Sequence, residues 1–305
     1  MGRYVLKSLM QIVPVMFIIT IIVFVLVHVA GDPVNLMLPE TASEEDRAAL
    51  RTALGLDKPL YVQYMTFLGN VLHGEFGTSF HYGQEALPLV LERLPATFQL
   101  AAASIVIAVL IAVPCGILSA AKRNSVVDVL FSLLAVIGKA MPNFWIGIML
   151  ILFFSVELQW FPVSGRGGIE HLVLPAFTVG VGLAAQMTRL IRSGMLEILS
   201  EDYIRTARSK GLRESVVVCV HAFRNGLIPV VTVISLQFTS LIGGTLVTET
   251  VFAWPGLGML LVTAVNMRDM AVVQAAVFII AFTVIACNLL TDLVYRWLDP
   301  RIKYQ

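Results

Sequence analysis

Six long stretches of the chain carry almost no charge, and this pattern constrains the fold more than any other feature. A helix that crosses the hydrocarbon core of a bilayer needs about 20 apolar residues. The stretches have about this length, although the fourth is the weakest and Lys139 and Pro142 interrupt the third. They cover residues 8–31, 98–121, 129–156, 172–188, 225–248 and 270–291. The sequence therefore predicts an all-α, polytopic membrane protein with six transmembrane helices.

The composition of the chain excludes most other classes of protein. Of its 305 residues, 58% are hydrophobic and 13% are charged, whereas a soluble domain is usually about 45–50% apolar and about 25% charged. This excludes a soluble enzyme of this length. It also excludes a disordered chain, which needs low hydrophobicity and high net charge. The net charge of +1 argues against nucleic acid as the main partner, because nucleic-acid-binding domains are strongly basic.

The Lys and Arg residues near the spans indicate the orientation of the chain, because they concentrate in cytoplasmic loops. With six spans, most of them fall on the side of the N-terminus, so we expect both termini to be cytoplasmic. A further apolar stretch, 250–267, contains Trp254-Pro255-Gly256, and Pro and Gly weaken a helix. We predict a short helix or a re-entrant piece at the outer surface there, since backbone groups in lipid must be paired within their own segment.

The spans divide the chain into three predicted regions. Residues 1–30 form the first transmembrane helix, 31–97 form an extracytoplasmic loop region and 98–305 form a five-helix core. The core contains a cytoplasmic loop, 192–226, and an extracytoplasmic loop, 250–269.

Helix signals divide the cytoplasmic loop into two parts. Ser200 is predicted to cap a helix with two acids in its first turn, and Gly211 is predicted to end it. A second short helix is predicted from about Glu214 to Arg224. Two helices hinged at Gly211 would then join the fourth and fifth spans.

The chain shows no sign of catalytic or metal chemistry. It has no His-Glu-x-x-His pair, no Gly-x-Ser-x-Gly elbow and no cysteine spacing for a metal. It also lacks a Gly-x-x-x-x-Gly-Lys-Ser/Thr loop, so we do not expect it to bind or hydrolyse ATP. No predicted span has a central Asp or Glu of the kind that proton- or sodium-driven carriers use. This counts against an ion-coupled carrier.

The cytoplasmic loop carries the most specific motif of the chain. It contains Arg205-Thr206-Ala207, then three residues and Gly211, and later Pro229. This arrangement resembles the coupling loop of ABC importer permeases, whose pattern is Glu-Ala-Ala, three residues, Gly and a later Pro. The run Asp202-Tyr203-Ile204-Arg205-Thr206-Ala207-Arg208-Ser209-Lys210-Gly211 is similar to the dipeptide, oligopeptide, nickel and glutathione branch, and to its first permease subunit.

The resemblance extends along nearly the whole chain and implies the fold of a type I ABC importer permease. Two departures from the family are Met270-Ala271, where Tyr-Pro is usual, and Lys139, where a small or neutral residue is usual. The other matching motifs are Gly31-Asp32-Pro33, Leu54-Gly55-Leu56-Asp57-Lys58-Pro59-Leu60, Gly74-Glu75-Phe76-Gly77-Thr78-Ser79, Arg93-Leu94-Pro95-Ala96-Thr97, Phe252-Ala253-Trp254-Pro255-Gly256-Leu257-Gly258, Arg268-Asp269 and Asp299-Pro300-Arg301-Ile302.

The resemblance implies that the cytoplasmic loop docks on a separate ATPase subunit. Tyr203, Ile204 and Ala207 have helical spacing and form either an apolar knob for the partner or a contact with the spans. Gly211 tolerates a positive φ at the corner between the helices, and Pro229 sets a bend at the fifth span. The residues expected to act in coupling are Tyr203, Ile204, Arg205, Thr206, Ala207, Gly211, Leu212, Arg224, Asn225 and Pro229.

Lys139 is the charge that the spans should not contain. A cation in a membrane helix costs a few kcal/mol, so it needs a polar partner or water. One interpretation is that Lys139 lines the translocation path with Pro142 and Asn143, and that it meets a carboxylate of the cargo. The other is a structural contact with a partner permease or with carbonyl groups freed near Pro142.

These observations predict a permease subunit of an ATP-driven importer in the bacterial cytoplasmic (inner) membrane. The resemblance implies a second homologous permease, two ATPase subunits that carry ATP and Mg, and an extracytoplasmic substrate-binding protein. We expect this chain to bind no cofactor itself. Dipeptides, longer peptides, glutathione, metal chelates and modified sugars all fit the branch as cargo. The alternatives are an ion-coupled secondary transporter and a membrane scaffold or receptor without transport.

Overall fold

The computed structural model describes residues 2–29, 34, 38, 42–53 and 55–298 of the chain. Within the helices, the side chains at 2–9, 11, 28, 29, 224–229, 231, 232 and 293–298 lie outside this description. The described part consists of helices and connecting segments without a β-strand, apart from a single bridge between Thr78 and Glu85. The predicted all-α fold is confirmed.

The helices of the described part are numbered here in chain order. They are α1 (Gly2–Val29), α2 (Glu44–Ala53), α3 (Leu60–His73), α4 (Ala86–Ala121), α5 (Val126–Ala140), α6 (Asn143–Leu150), α7 (Ile169–Leu199), α8 (Asp202–Ser209), α9 (Glu214–Val216), α10 (Phe223–Gly244), α11 (Leu246–Val251), α12 (Leu257–Asn266) and α13 (Met270–Leu298). Two wider, π-helical segments follow α6 (Ile151–Glu157) and α9 (Val217–Ala222).

Each predicted span coincides with a helix or with a pair of helices. Among the described residues, α4, α7 and the Met270–Asp292 part of α13 are each long and apolar enough to cross a membrane. Helix α5 and the helical stretch that begins with α6 pass the same test together, as one bent pair. Helices α1 and α10 contain shorter apolar stretches, Ile12–Val27 and Val233–Gly244. The six helical segments that the sequence predicts are therefore present.

The third span is bent by 103° where the sequence predicted an interruption. Met141 and Pro142 are both extended, with ψ angles of 133° and 136°. Proline has no N–H to continue a helix, and the residue before it avoids the helical region. Helix α5 therefore ends at Ala140 and α6 begins at Asn143, so the third span is two helices that meet at an angle.

Helix α12 corresponds to the short outer helix predicted within 250–267. It has 10 residues, which at 1.5 Å per residue gives a length of about 15 Å. This is about half of the hydrocarbon core of a bilayer, so the helix is too short to form a seventh span.

The chain divides into two compact units. The first consists of Met1–Ala96 with Gly256–Leu289, and the second consists of Thr97–Pro255 with Leu290–Gln305. In the first unit, α1 contacts α3 through Phe24 and Tyr64, whose ring centroids are 5.4 Å apart. The buried core of this unit includes Val71, Phe76, Val90, Leu257, Val272 and Ala276.

The second unit is built on a close approach of α4 and α7. A Cβ atom added at Gly116 would lie 2.7 Å from the Cβ atom of Ile191, and one added at Gly180 would lie 2.9 Å from the carbonyl oxygen of Ser104. Because protein interiors are close-packed, only glycine fits at these two contacts. The buried core of the unit then continues from α4 and α7 to α8 and α10, through Ala112, Leu183, Ile191, Met195, Ile204, Val217 and Leu241.

Candidate functional site

Helix α8 forms the first half of the predicted coupling loop and is held to the second unit by two residues. Ile204 is 0% exposed and Ala207 is 8% exposed, and both belong to the buried core of that unit. The prediction that these two residues form an apolar knob for a partner is therefore wrong. Their side chains pack into the core of the unit and anchor the helix there. Tyr203, Arg205 and Thr206 lie on the exposed face of α8, which is the face available to a partner.

The ends of the two loop helices differ from the prediction. Ser200 belongs to the end of α7, where its Oγ atom donates a hydrogen bond to the carbonyl oxygen of Glu197, and Glu201 is at the N-cap of α8. The second helix is not a separate element. It begins at Glu214 and continues through the π-helical segment into α10, because residues 214–225 contain no Gly or Pro that would end it.

The predicted stop at Gly211 is confirmed. Its φ angle is 75°, which is the left-handed region that glycine enters without a steric penalty. The Gly211 N–H donates to the carbonyl oxygen of Arg208 at 2.9 Å, and Leu212 beside it is exposed. The remaining predicted coupling residues have backbones in α10 and side chains outside the described residues: Arg224, Asn225 and Pro229.

An ion pair closes the turn at Gly211. The Arg208 Nε and Nη2 atoms donate to the two carboxylate oxygens of Glu214, at 3.1 and 2.7 Å. The guanidinium holds the pKa of the Glu214 carboxyl below its ordinary value. The pair therefore joins the end of α8 to the start of α9 across the exposed turn.

Replacing Glu214 with glutamine is expected to have a small effect on stability. Both side chains are more than a third exposed, at 42% and 59%, and such pairs contribute about 0–1 kcal/mol. Since the pKa of Glu214 is lowered on folding, the contribution is complete above the ordinary carboxyl pKa and is lost as the pH falls through the lowered value. Thermal unfolding of the wild type and Glu214→Gln from neutral to acidic pH measures the difference. A loss of several kcal/mol at neutral pH would contradict this.

A second ion pair, which the sequence analysis did not find, is buried. Asp128, in the first turn of α5, is 4% exposed. Its carboxylate accepts hydrogen bonds from Arg192 Nε at 2.6 Å and Arg192 Nη2 at 2.7 Å. It also accepts from the Ser119 hydroxyl and from the Asn124 N–H. One carboxylate thus joins α4, the following turn, α5 and α7.

The buried pair lies on the path from the spans to α8. Arg192 is on α7, the helix that ends at Leu199 just before α8 begins at Asp202. Arg192 could not be paired with Asp128 from the sequence, because the two residues are 64 positions apart. A signal was present, since Asp128 follows the helix cap Ser125 and is an acid at the start of an apolar stretch.

The residues predicted for the translocation path lie at the bend between α5 and α6. Lys139 and Asn143 line a cavity of about 380 Å³, whereas Pro142 forms the bend and does not line it. A Cβ atom at Gly182 would lie 3.6 Å from Asn143 Oδ1, so the Asn143 amide faces α7. The complete lining consists of Gly138, Lys139, Met141, Asn143, Val179, Gly182, Leu183, Gln186, Gln237, Ser240, Leu241 and Gly244.

The wall of the cavity and the coupling helix share one apolar core. Val179, Leu183 and Leu241 line the cavity. They belong to the same buried cluster as Ile204 and Ala207 of α8. Close-packed interiors transmit strain, so this cluster is a physical connection between the two parts of the candidate site.

The chain matches two families of known proteins. Residues 112–304 match the family described as the binding-protein-dependent transport system inner membrane component. Residues 1–101 match the N-terminal family of membrane components of the same transport systems. Together, the two matched ranges cover the chain except for residues 102–111 and 305.

Full-length relatives are found among curated proteins. The chain is 41% identical to the oligopeptide transport system permease protein AppB of Bacillus subtilis, with 100% of both chains covered. It is 42% identical to the glutathione transport system permease protein GsiC of Salmonella paratyphi A, again with 100% of both covered. The sequence of GsiC from Escherichia coli K12 is 41% identical over the same extent.

Solved structures share the fold. An inward-facing form of the MetNI methionine ABC transporter aligns with a TM-score of 0.55 at 18% identity, covering 69% of this chain and 96% of that chain. An amino acid ABC transporter crystallised with histidines aligns with a TM-score of 0.53 at 14% identity, covering 69% of this chain and 94% of that chain. These likenesses concern the fold alone.

Proposed function

Since the chain belongs to the family of binding-protein-dependent transport system inner membrane components, and is an inner-membrane permease subunit of an ABC importer, we propose that its cargo is a small peptide or a related molecule. The relatives named above are permeases of oligopeptide and glutathione transport systems, and their similarity over the whole chain supports this cargo class. The chain is a transport subunit rather than an enzyme, and ATP hydrolysis belongs to partner subunits. The comparisons give no support to an ion-coupled carrier.

The connection between α8 and the cavity carries the proposed mechanism. The exposed face of α8, with Tyr203, Arg205 and Thr206, docks on an ATPase subunit. When the ATPase moves, α8 moves with it and displaces the core into which Ile204 and Ala207 are anchored. Because the same core forms one wall of the cavity, the displacement changes the cavity. Gly211 and Leu212 provide the exposed corner of the docking element, and Arg224, Asn225 and Pro229 are proposed to continue it.

The cavity is the proposed section of the translocation path within this subunit. Lys139 and Asn143 line it, and Pro142 sets the bend that places them there. Polar groups on exposed helix surfaces are costly in lipid, so this surface is expected to face water or a partner subunit. A cavity that opens towards the interface with a second permease would keep this polar surface away from lipid.

The chain works in a complex with ATPase and other subunits. We propose that these are a second homologous permease, two ATPases that bind ATP and Mg, and an extracytoplasmic substrate-binding protein. Both termini would be cytoplasmic, with residues 31–97 and 250–269 outside and 192–226 inside. We propose that this chain binds no cofactor of its own.

Co-purification and uptake test the proposed function together. An affinity-tagged copy of the chain is expected to recover an ATPase and a second permease from its own host. Deleting its gene is expected to abolish uptake of labelled glutathione or trialanine, and restoring the gene to recover it. Recovery of the complex without uptake of either compound would contradict the cargo class alone, and failure to recover any ATPase would contradict the proposed assembly.

A further inference from the structure

The polar side of the cavity at the bend between α5 and α6 consists of side chains that can donate hydrogen bonds, one of which is positively charged. Its polar side chains come from four helices: Lys139 on α5 and Asn143 on α6 flank the bend, Gln186 lies on α7, and Gln237 and Ser240 lie on α10. A lysine ammonium has three donors and no acceptor, and amides and hydroxyls can donate as well as accept. No Asp or Glu lines this cavity. Such a lining is suited to an anion.

Lys139 lacks a counter-charge in the described part of the chain. None of the ion pairs between described residues includes it. An ionised side chain within a membrane domain is costly unless it is paired or hydrated. The ammonium group is therefore available to an anionic group that enters the cavity.

The two glutamines that line the same cavity as Lys139 have an amide N–H group left to donate. Gln237 Nε2 donates to Gln186 Oε1 at 3.4 Å, which uses the acceptor of Gln186 and leaves its amide nitrogen to donate elsewhere. Hydrogen bonds to charged groups are stronger than those between neutral groups. The amides and the ammonium group together can hold a carboxylate, whose two oxygens accept several hydrogen bonds.

The depth of Lys139 argues for cargo rather than lipid as the source of the anion. Lys139 is near the end of α5, about 20 Å along the helix from its first residue at 1.5 Å per residue. For a helix that enters a hydrocarbon layer of about 30 Å at its first residue, this distance places Lys139 within that layer, where the phosphate of a lipid headgroup does not lie. A molecule that crosses the membrane does pass this depth.

We propose that Lys139, with the amides of Gln186 and Gln237, forms a subsite that binds a carboxylate of the cargo during its passage. The subsite rests on the proposed function, because it needs a cargo that carries a free carboxylate, as the C-terminus of a peptide does. Its chemical preference belongs to the permease and is separate from the selectivity of the binding protein. Cargo with a carboxylate would be drawn into the cavity, and the same cargo with a neutral amide would not.

Thiol reactivity tests the subsite without knowledge of the cargo. In the complete importer, Cys115, Cys219 and Cys287 are replaced by serine, and Ser240→Cys places one thiol on the cavity wall. The thiol is expected to react faster with an anionic sulfonatoethyl methanethiosulfonate than with a cationic trimethylammonium reagent, after correction for their intrinsic rates. Lys139→Met is expected to lower this ratio about tenfold, since a charged cleft concentrates counter-ions by at least that factor.

Matched variants control the thiol experiment. Lys139→Arg keeps the charge and should keep the ratio, and Lys122→Met removes an exposed lysine outside the cavity and should leave the ratio unchanged. Removing an uncompensated charge from a membrane helix favours folding, so Lys139→Met is expected to assemble. A thiol that reacts with neither reagent, or a ratio that is the same in Lys139→Met, overturns the subsite.

Uptake of a matched pair of peptides tests whether the anion belongs to the cargo. Labelled trialanine and its C-terminal amide differ only in the carboxylate. The binding protein is the same in every permease variant, so its own preference between the two peptides cancels when the uptake ratios of the variants are compared. Lys139→Met is expected to lower the ratio of trialanine to amide uptake about tenfold, and Lys122→Met is expected to leave it unchanged. An unchanged ratio in Lys139→Met, together with the anion preference of the thiol, would assign the site to another anion and overturn the cargo carboxylate. If the wild type imports neither these peptides nor glutathione, the proposed cargo class fails, and the thiol ratios still decide whether the anion site exists.

Discussion

Replacing Asp128 with leucine is expected to prevent most of the permease from assembling. The change leaves the Arg192 guanidinium, with its side chain 28% exposed, without its counter-charge, and it removes the acceptor for Ser119 and Asn124. Breaking a buried ion pair by removing one partner costs about 3–5 kcal/mol. This is a large part of the roughly 5–15 kcal/mol by which a native protein is stable. The amount of the subunit in the membrane and the melting temperature of the purified importer are the measurements.

The double variant Asp128→Leu with Arg192→Met separates the ion pair from the rest of the site. Replacing both members of a buried pair by apolar side chains is often neutral or stabilising. The double variant is therefore expected to regain at least half of the subunit amount that Asp128→Leu loses from the membrane. Glu214→Gln is the matched control, because it removes a carboxylate from another two-bond arginine pair that is exposed. If Asp128→Leu is as stable as Glu214→Gln, or if the double variant is no better than the single one, the buried network does not hold these helices together.

The spans could be predicted from the sequence because lipid imposes a simple requirement. Each crossing helix needs an uncharged run of sufficient length, and the gaps between charged residues therefore coincide with α1, α4, the α5–α6 pair, α7, α10 and α13. The short helix α12 was predictable for a similar reason, since Pro255 and Gly256 break the run before it. The spans and helix α12 depend only on residues that are close in sequence and on the hydrocarbon environment of the bilayer.

Boundaries were predicted less well where two local interactions compete. Ser200 is a good helix cap by its side chain, but in the structure its hydroxyl bonds back to Glu197 and ends α7. Gly211 was predicted correctly because a positive φ is a property of one residue. The bend at Pro142 was visible as an interruption, but its angle of 103° depends on how α6 packs.

The contacts that define the candidate site could not be read from one sequence. Asp128 and Arg192 meet because α5 and α7 cross, and no local signal pairs them. In the same way, Gln186 on α7 and Gln237 on α10 come together in the wall of the cavity that Lys139 also lines. Lys139 was identified in advance, together with Pro142 and Asn143, because a charge within a span is unusual for any membrane helix. The burial of Ile204 and Ala207 also required the fold, since helical spacing puts them on one face but does not say what that face meets.

Replacing Gly211 with valine is expected to lower uptake about tenfold without removing the permease from the membrane. Gly211 has a φ angle of 75°, and a left-handed conformation costs an L-residue roughly 1–2 kcal/mol, with β-branched residues the least tolerant. An added Cβ atom would meet nothing within 4 Å, so the strain acts on the backbone of the turn alone. The turn is expected to relax to a different shape, and α8 would then no longer present its exposed face in the orientation needed for the proposed docking on an ATPase. Uptake and ATP hydrolysis by the complete importer measure the effect.

The matched variant Gly211→Asn separates the strain from the loss of glycine itself. Asparagine enters the left-handed region more readily than other residues and finds the same open space, so it is expected to retain most of the uptake. The position is exposed and outside the buried core, so both variants should reach the membrane in normal amounts. Equal uptake by Gly211→Val and the wild type would show that the shape of this turn does not matter for coupling. Equal loss in both variants would show that the glycine is needed for close contact with the partner rather than for its backbone conformation.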